Sequence, residues 1–221
     1  MTTGLVFDRE YLLHEQTPSH PERRERLAYT IDQFTEEGLF CHPKVRAIPP
    51  LPATREDVER VHHPEYLAFL EEASERGGFI DFDTIVPRGL FRSALLAAGG
   101  AVRAGVSVWN GECRNAFALV RPPGHHARAG TGAGFCYLNN MAIMVPHLQR
   151  AGAGGILVLD WDAHHGDGTQ SISSDDPSVL FTSIHQRPLY PGSGGIEELG
   201  EGPGLGHTVT MPPPPGTGRS C

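Results

Sequence analysis

The 221-residue sequence has only four cysteines, Cys41, Cys113, Cys136 and Cys221, and no two of them form a CxxC pair. Neither a thiolate zinc finger nor a disulfide framework is therefore indicated. Scattered cysteines behind an N-terminus, MTTGLVFDRE, that lacks the basic-then-apolar signal pattern fit a reducing cytoplasm. No apolar run approaches membrane-spanning length, which makes a soluble, membrane-free protein the expectation. Basic charge is also short: 18 Lys and Arg stand against 26 Asp and Glu, a formal charge of −8. That balance argues against binding nucleic acid through its phosphates and is compatible with a cationic substrate. There is no GxSxG elbow, so a serine hydrolase has no support. The glycine-rich stretch 152–155 precedes a strand pattern instead of following one, which weakens a dinucleotide-binding reading. No internal repeat is evident, and the length suits one domain over residues 1–221.

Histidine, in contrast, is abundant. Twelve are present, several as tandem pairs: His62-His63, His125-His126 and His164-His165. The most informative stretch is ILVLDWDAHHGDGTQ, residues 156–170. Its apolar start reads as a strand buried on both faces of a parallel sheet. Residues two apart in an extended chain share a side. Asp160, Asp162 and His164 then point one way, and Trp161, Ala163 and His165 the other. Carboxylate oxygen and imidazole nitrogen are both zinc donors, so this strand end supplies half a metal site. Open α/β sheets bind ligands beyond the carboxyl ends of their strands, where these charges begin.

Around it, the pattern predicts strands at 4–7, 45–48, 116–120, 179–184 and 207–211. Helices are predicted at 20–37, at 64–76 with Pro64 in the first position, at 90–109, at 136–149 with a bend at Pro146, and just after Gly168. Thr54 and Asp57 have the spacing of a capping box. Residues 79–87 read as a loop carrying Asp81 and Asp83. The pair Gly99-Gly100 reads as a packing contact. Alternating strands and helices predict an α/β fold, a mostly parallel sheet with helices on both faces.

A second constellation ends the strand at 116–120: Arg121-Pro122-Pro123-Gly124-His125-His126. Both rings can enter one pocket only if the backbone bends, and Gly124 permits a bend. Imidazole gives or takes a proton near neutral pH, so the pair could serve as base and acid beside a metal.

HPERRERL (20–27), VHHPEYL (61–67), RPPGHHA (121–127), GFCYLNN (134–140), DWDAHHGDGTQ (160–170) and YPGSG (190–194) together resemble the histone deacetylase superfamily, with its acetylpolyamine amidohydrolases and acetoin-utilisation proteins. The resemblance implies an arginase-like α/β fold, a catalytic Zn2+, and hydrolysis of the amide of an acetylated lysine or polyamine to release acetate. It places Asp162 and His164 as zinc ligands and His125 and His126 as the proton-transfer pair. Asp160 and Asp167 are then the carboxylates behind those two imidazoles. Gly134, Phe135 and Tyr190 would wall the acyl channel, with Asp83 at its rim. Asp160, Asp162 and Ser183 would surround a monovalent cation such as K+.

The sequence also departs from that pattern. A second aspartate ligand and an oxyanion-donating tyrosine, which the family carries in later segments, have no counterpart before the chain stops at Cys221. A catalytic zinc normally has three protein ligands, and loss of an oxyanion donor costs roughly 10²–10³ in rate. The expectation is a domain lacking its C-terminal part and impaired as a zinc amidohydrolase. A non-catalytic metal- or protein-binding remnant is the alternative, and a homo-oligomer or a completing chain are both open.

Overall fold

The computed structural model describes residues 1–218, leaving Cys221 outside the described residues. Two three-stranded sheets, each wholly parallel, carry the architecture. The first contains β1 (Thr3–Val6), β2 (Val45–Ile48) and β5 (Asn115–Ala118) in the order β2-β1-β5. The second contains β6 (Ile156–Asp160), β7 (Val179–Ile184) and β8 (Thr208–Met211) in the order β6-β7-β8. The α/β class expected from the alternation is present, but its parallel strands are divided between two sheets. Residues 79–87 are also more ordered than a loop: β3 (Gly78–Phe79) and β4 (Ile85–Val86) pair antiparallel.

Among the described residues six α-helices surround the sheets: α1 (Glu25–Glu36), α2 (Arg55–Glu59), α3 (Pro64–Arg76), α4 (Leu90–Trp109), α5 (Asn140–Arg150) and α6 (Asp167–Ser173). The capping box forms, with Thr54 accepting from the Asp57 amide and the Asp57 carboxylate accepting from the Thr54 amide. Pro64 opens α3, and Gly77 ends it at φ 81°, a left-handed setting that favours glycine. Helix α1 starts at Glu25 instead of residue 20, because the preceding turn is folded on itself by the Glu22 amide donating to His20 Nδ1 at 3.1 Å. Helix α5 likewise starts late. Its cap is Asn139, whose side chain accepts from the Ala142 amide, while the chain before it turns back through an Ala133–Cys136 bridge.

The alanines and glycines of α4 are explained by close approach. A methyl group at Gly99 would overlap the Leu51 carbonyl, and one at Gly100 the Tyr11 hydroxyl. Leu67, Leu70, Leu90, Ala94 and Ile143 are fully buried where α3, α4 and α5 meet, each large side chain contributing about 1.5–3 kcal/mol. Val158, Val179 and Phe181 bury the inner side of the second sheet against Val145 of α5.

The reading of β6 as a strand buried on both faces is not what the structure has. Leu157 is 62 % exposed and Leu159 42 %. The strand before Arg121 is equally open, with Phe117 49 % exposed. Both strands are sheet edges, and Leu180 of the central β7, paired with Leu157, is 37 % exposed as well, so it is an outer sheet face that stands bare.

Candidate active site

The carboxyl ends of β5 and β6 converge. Asp160, the last residue of β6, accepts a hydrogen bond from His125 across 35 positions, Nδ1 to Oδ2 at 2.9 Å. His126 makes the parallel contact with Asp167, the first residue of α6, at 2.7 Å. Arg128 grips the other oxygen of Asp167 through Nε and Nη2 at 3.2 and 2.8 Å. The two imidazoles lie 4.0 Å apart between ring centres.

The local sequence makes this possible by leaving side chains out. A methyl group at Gly166 would overlap the Asp160 carboxylate, and one at Gly168 would strike the backbone of His126 and Ala127. The bend expected at Gly124 is present as a turn in which the Ala127 amide donates to the Gly124 carbonyl at 3.0 Å, formed without positive φ at Gly124. Its role is close approach: a methyl there would lie 2.6 Å from the Asn140 amide nitrogen.

Past Asp160 the chain folds over its own acids. The Asp162 amide donates to Asp160 Oδ1 at 3.0 Å, and the His164 amide donates to Asp162 Oδ1 at 2.8 Å. His164 Nδ1 and Asp162 Oδ1 also face each other at 3.0 Å. Two ligands on a tetrahedral zinc with bonds of 2.0–2.1 Å stand roughly 3.3 Å apart, so this pair is spaced to share one ion. Trp161 and His165, expected on one side, part company because the chain bends after Asp160. Trp161 is exposed, whereas His165 is buried and bonded to Ser193 and Gln170.

A cavity of about 410 Å³ joins these groups. His125, His126, Asp162 and His164 share its wall with Gly134, Phe135, Tyr190 and Asp83. The Tyr190 ring meets His126 edge-on at 5.0 Å and His164 at 6.2 Å. Gly134 lies flat on His126, where a methyl would overlap the ring, and Phe135 follows in a left-handed conformation at φ 70°. Phe135 is fixed from behind by the Thr84 hydroxyl at 3.2 Å and by the His20 ring. Asp83 is held by its amide donating to Asp81 and by its carbonyl accepting from His20 Nε2 at 3.0 Å. Ser183 lies outside this wall. It pairs with Asp160 in the β6–β7 ladder, and its hydroxyl bonds His185 Nδ1 at 2.9 Å.

Burial raises the pKa of Asp160 and Asp167, but the hydrogen bonds from His125 and His126 outweigh it and hold both below the usual carboxylate range. Ionised carboxylates only accept hydrogen bonds, so each imidazole carries its proton on Nδ1 and leaves Nε2 as the titrating atom. The two rings then part company. For His125, burial lowers the pKa, but the Asp160 bond and the surrounding acids raise it further, giving a net rise. For His126, burial prevails over the Asp167 bond, aided by the charges of His125 and His164, and its pKa falls.

Two charged wall residues, Glu22 and Arg26, were missed by sequence reasoning. The HPERRERL run containing them contributed only to the resemblance. Behind the wall, Arg121 is fully buried, with Nε 2.6 Å from Glu22 Oε1 and Nη1 donating to the Tyr11 and His14 carbonyls at 3.2 and 2.6 Å. His14 Nε2 lies 3.7 Å from the other Glu22 oxygen, beyond hydrogen-bond range, so Arg121 is the main partner. Burial pushes Glu22 up, yet these neighbours hold its pKa down at about 2, from an ordinary 4.5. A depressed folded-state pKa stabilises above the unfolded value and is lost as pH falls through the folded one. We expect roughly 3 kcal/mol from this group, present above about pH 4.5 and gone near pH 2. Urea unfolding of wild type and Glu22→Gln between pH 6 and 2 checks this. The two stability curves should converge as pH falls, and parallel curves would contradict it.

Among the described residues no three His, Cys, Asp or Glu side chains gather as a metal site. Asp162 and His164 thus fit zinc as two donors of the usual three.

The histone deacetylase domain model matches residues 20–220. A probable deacetylase of Archaeoglobus fulgidus is 62 % identical over 218 residues, covering 99 % of this chain and 61 % of the relative. Histone deacetylase 15 of Arabidopsis thaliana is 36 % identical, covering 96 % of this chain and 40 % of the relative. The crystal structure of the HDA15 HD domain superposes with a TM-score of 0.92 at 35 % identity, covering 96 % of this chain and 61 % of that one. The chain spans about three-fifths or less of the length of these relatives. On the strength of a domain match running through both histidine–aspartate pairs, the chain belongs to the histone deacetylase family.

Proposed function

We propose that this chain carries the proton-transfer and acyl-binding part of a zinc-dependent deacetylase acting on an acetylated amine, an acetyl-lysine or an acetylpolyamine. The observation that carries the reading is the shared wall on which His125 and His126 face Asp162 and His164. Zinc held by Asp162 and His164 would polarise the amide carbonyl and acidify a water molecule. His126, neutral at Nε2, is the better base towards that water. His125, with its raised pKa, retains a proton to give to the departing amine. Tyr190 and Phe135 exclude water around a slender acyl chain, and the Asp83 carboxylate at the rim suits an amide N–H or an ammonium group.

The division of zinc donors also favours a second reading, in which the chain binds metal weakly and turns over little by itself. A zinc titration followed by equilibrium dialysis, together with acetate release from an acetyl-lysine peptide and from acetylspermidine, separates the two. Zinc bound at one site, lost in Asp162→Ala and accompanied by acetate, supports the deacetylase. Zinc binding without acetate supports the binding module. Equal zinc uptake by wild type and Asp162→Ala would remove Asp162 from the site. The free cysteines Cys41, Cys113 and Cys136 suit the cytoplasmic location proposed with this reading.

A further inference from the structure

We propose that His62 is a positioning residue, acting through the backbone of Arg128 to hold the His126 ring against Asp167. His126 matters to turnover only on the deacetylase reading; its tether to His62 is independent of that reading.

The tandem pair His62-His63 stands apart from the candidate cavity, and neither ring lines its wall. His62 is nonetheless buried, at 1 % exposed, just before Pro64 opens α3. Its ring spans two backbone groups. Nε2 accepts from the Asn139 amide at 2.9 Å, and Nδ1 faces the Arg128 carbonyl at 3.0 Å. A nitrogen that accepts from an amide carries no proton, so the hydrogen sits on Nδ1 and is donated to Arg128. Burial keeps the ring in this neutral form, lowering its pKa to about 4 from an ordinary 6.5.

Both partners lead to the candidate site. Arg128 lies two residues after His126, and its guanidinium grips the Asp167 oxygen that His126 leaves free. Beside it, the His63 amide donates to the Ala129 carbonyl at 2.8 Å. Asn139 caps α5, and its side-chain nitrogen donates to the Ala127 carbonyl and the Thr169 hydroxyl, both at 3.0 Å. Three successive carbonyls after His126 are thus taken by His62, His63 and Asn139.

A buried imidazole satisfied at both ends is ordinarily a packing element. What sets His62 apart is the place of the carbonyl it holds. A shift of Arg128 moves the charge that orients the Asp167 carboxylate, and Asp167 selects the Nδ1 proton of His126. His125 is anchored differently. Its carbonyl accepts from the Thr169 amide at 3.0 Å, and its ring bonds Asp160. Loss of the His62 donor should therefore loosen one ring of the pair and spare the other.

His62→Gln and His62→Asn separate the two ends of the ring. A glutamine amide reaches the Nε2 position and keeps an acceptor for Asn139, but offers nothing at Nδ1. An asparagine amide reaches the Nδ1 position and keeps the donor to Arg128. The measurement is solvent exchange of the imidazole Nδ1 protons, followed by ¹H–¹⁵N NMR on the full chain. In His62→Gln the His126 proton should exchange about tenfold or more faster, with that of His125 unchanged. His62→Asn should stay at the wild-type rate. With zinc and an acetyl-lysine peptide, kcat of His62→Gln should fall about 10–100-fold at constant KM. If His62→Gln does not fold, His62→Asn decides, since its His126 proton must remain as protected as in wild type. Equal exchange in wild type and His62→Gln overturns the proposal. So does faster exchange at both rings alike, which is plain destabilisation, or a His62→Asn variant that loses the His126 proton. The expected exchange pattern in a chain that releases no acetate would sink the deacetylase reading and leave the positioning role standing.

Discussion

Arg121→Met is expected to destabilise the chain by about 3 kcal/mol, the low end for breaking a buried ion pair. Only the half-exposed Arg26, 3.5 Å from Glu22 Oε1, is left to face the carboxylate. Arg121 has no exposed surface, and the Glu22 side chain beside it is 4 % exposed, so water cannot take over the lost contact. Two carbonyls, of Tyr11 and His14, lose their donor in the same change. Domains of this size are stable by only about 5–15 kcal/mol, so the variant should unfold at markedly lower urea. The double variant Glu22→Gln/Arg121→Met should recover part of the loss, because it removes the stranded carboxylate. A single-variant loss below about 1 kcal/mol would mean that Glu22 and Arg121 are not coupled as described.

His126→Ala is expected to lower acetate release by about 10²–10⁴-fold, the range for removing a positioned acid or base. The fold should survive it, because Asp167 keeps both Arg128 hydrogen bonds and is not left unpaired. A variant that unfolds normally and hydrolyses at the wild-type rate would exclude His126 from proton transfer. His125→Ala removes the ring with the raised pKa and should be impaired too, most with the poorest leaving amine.

Much of this molecule can be read from its residues. Strands 45–48 and 179–184 and the helices at 64–76 and 90–109 fall where pattern and caps put them, and the strand read from the apolar run 156–159 extends one residue further, to Asp160. The convergence of His125 with Asp160 and of His126 with Asp167 came from the resemblance, since nothing local in a chain announces contacts across 35 and 41 positions. Glu22 and Arg121 lie 99 positions apart, and burial of an arginine runs against its usual exposure, so no pattern pointed to them. Leu157 and Leu159 misled for a physical reason. An apolar run records what a strand is able to bury, not whether a neighbour is there to cover it. The exposed leucines belong to an outer sheet face that includes Leu180 of the central β7.

The most direct test is acetate release from an acetyl-lysine peptide by the zinc-loaded chain. The account predicts zinc-dependent release, lost in both Asp162→Ala and His126→Ala. Release that persists in either variant, or none from the chain with zinc bound, would contradict it.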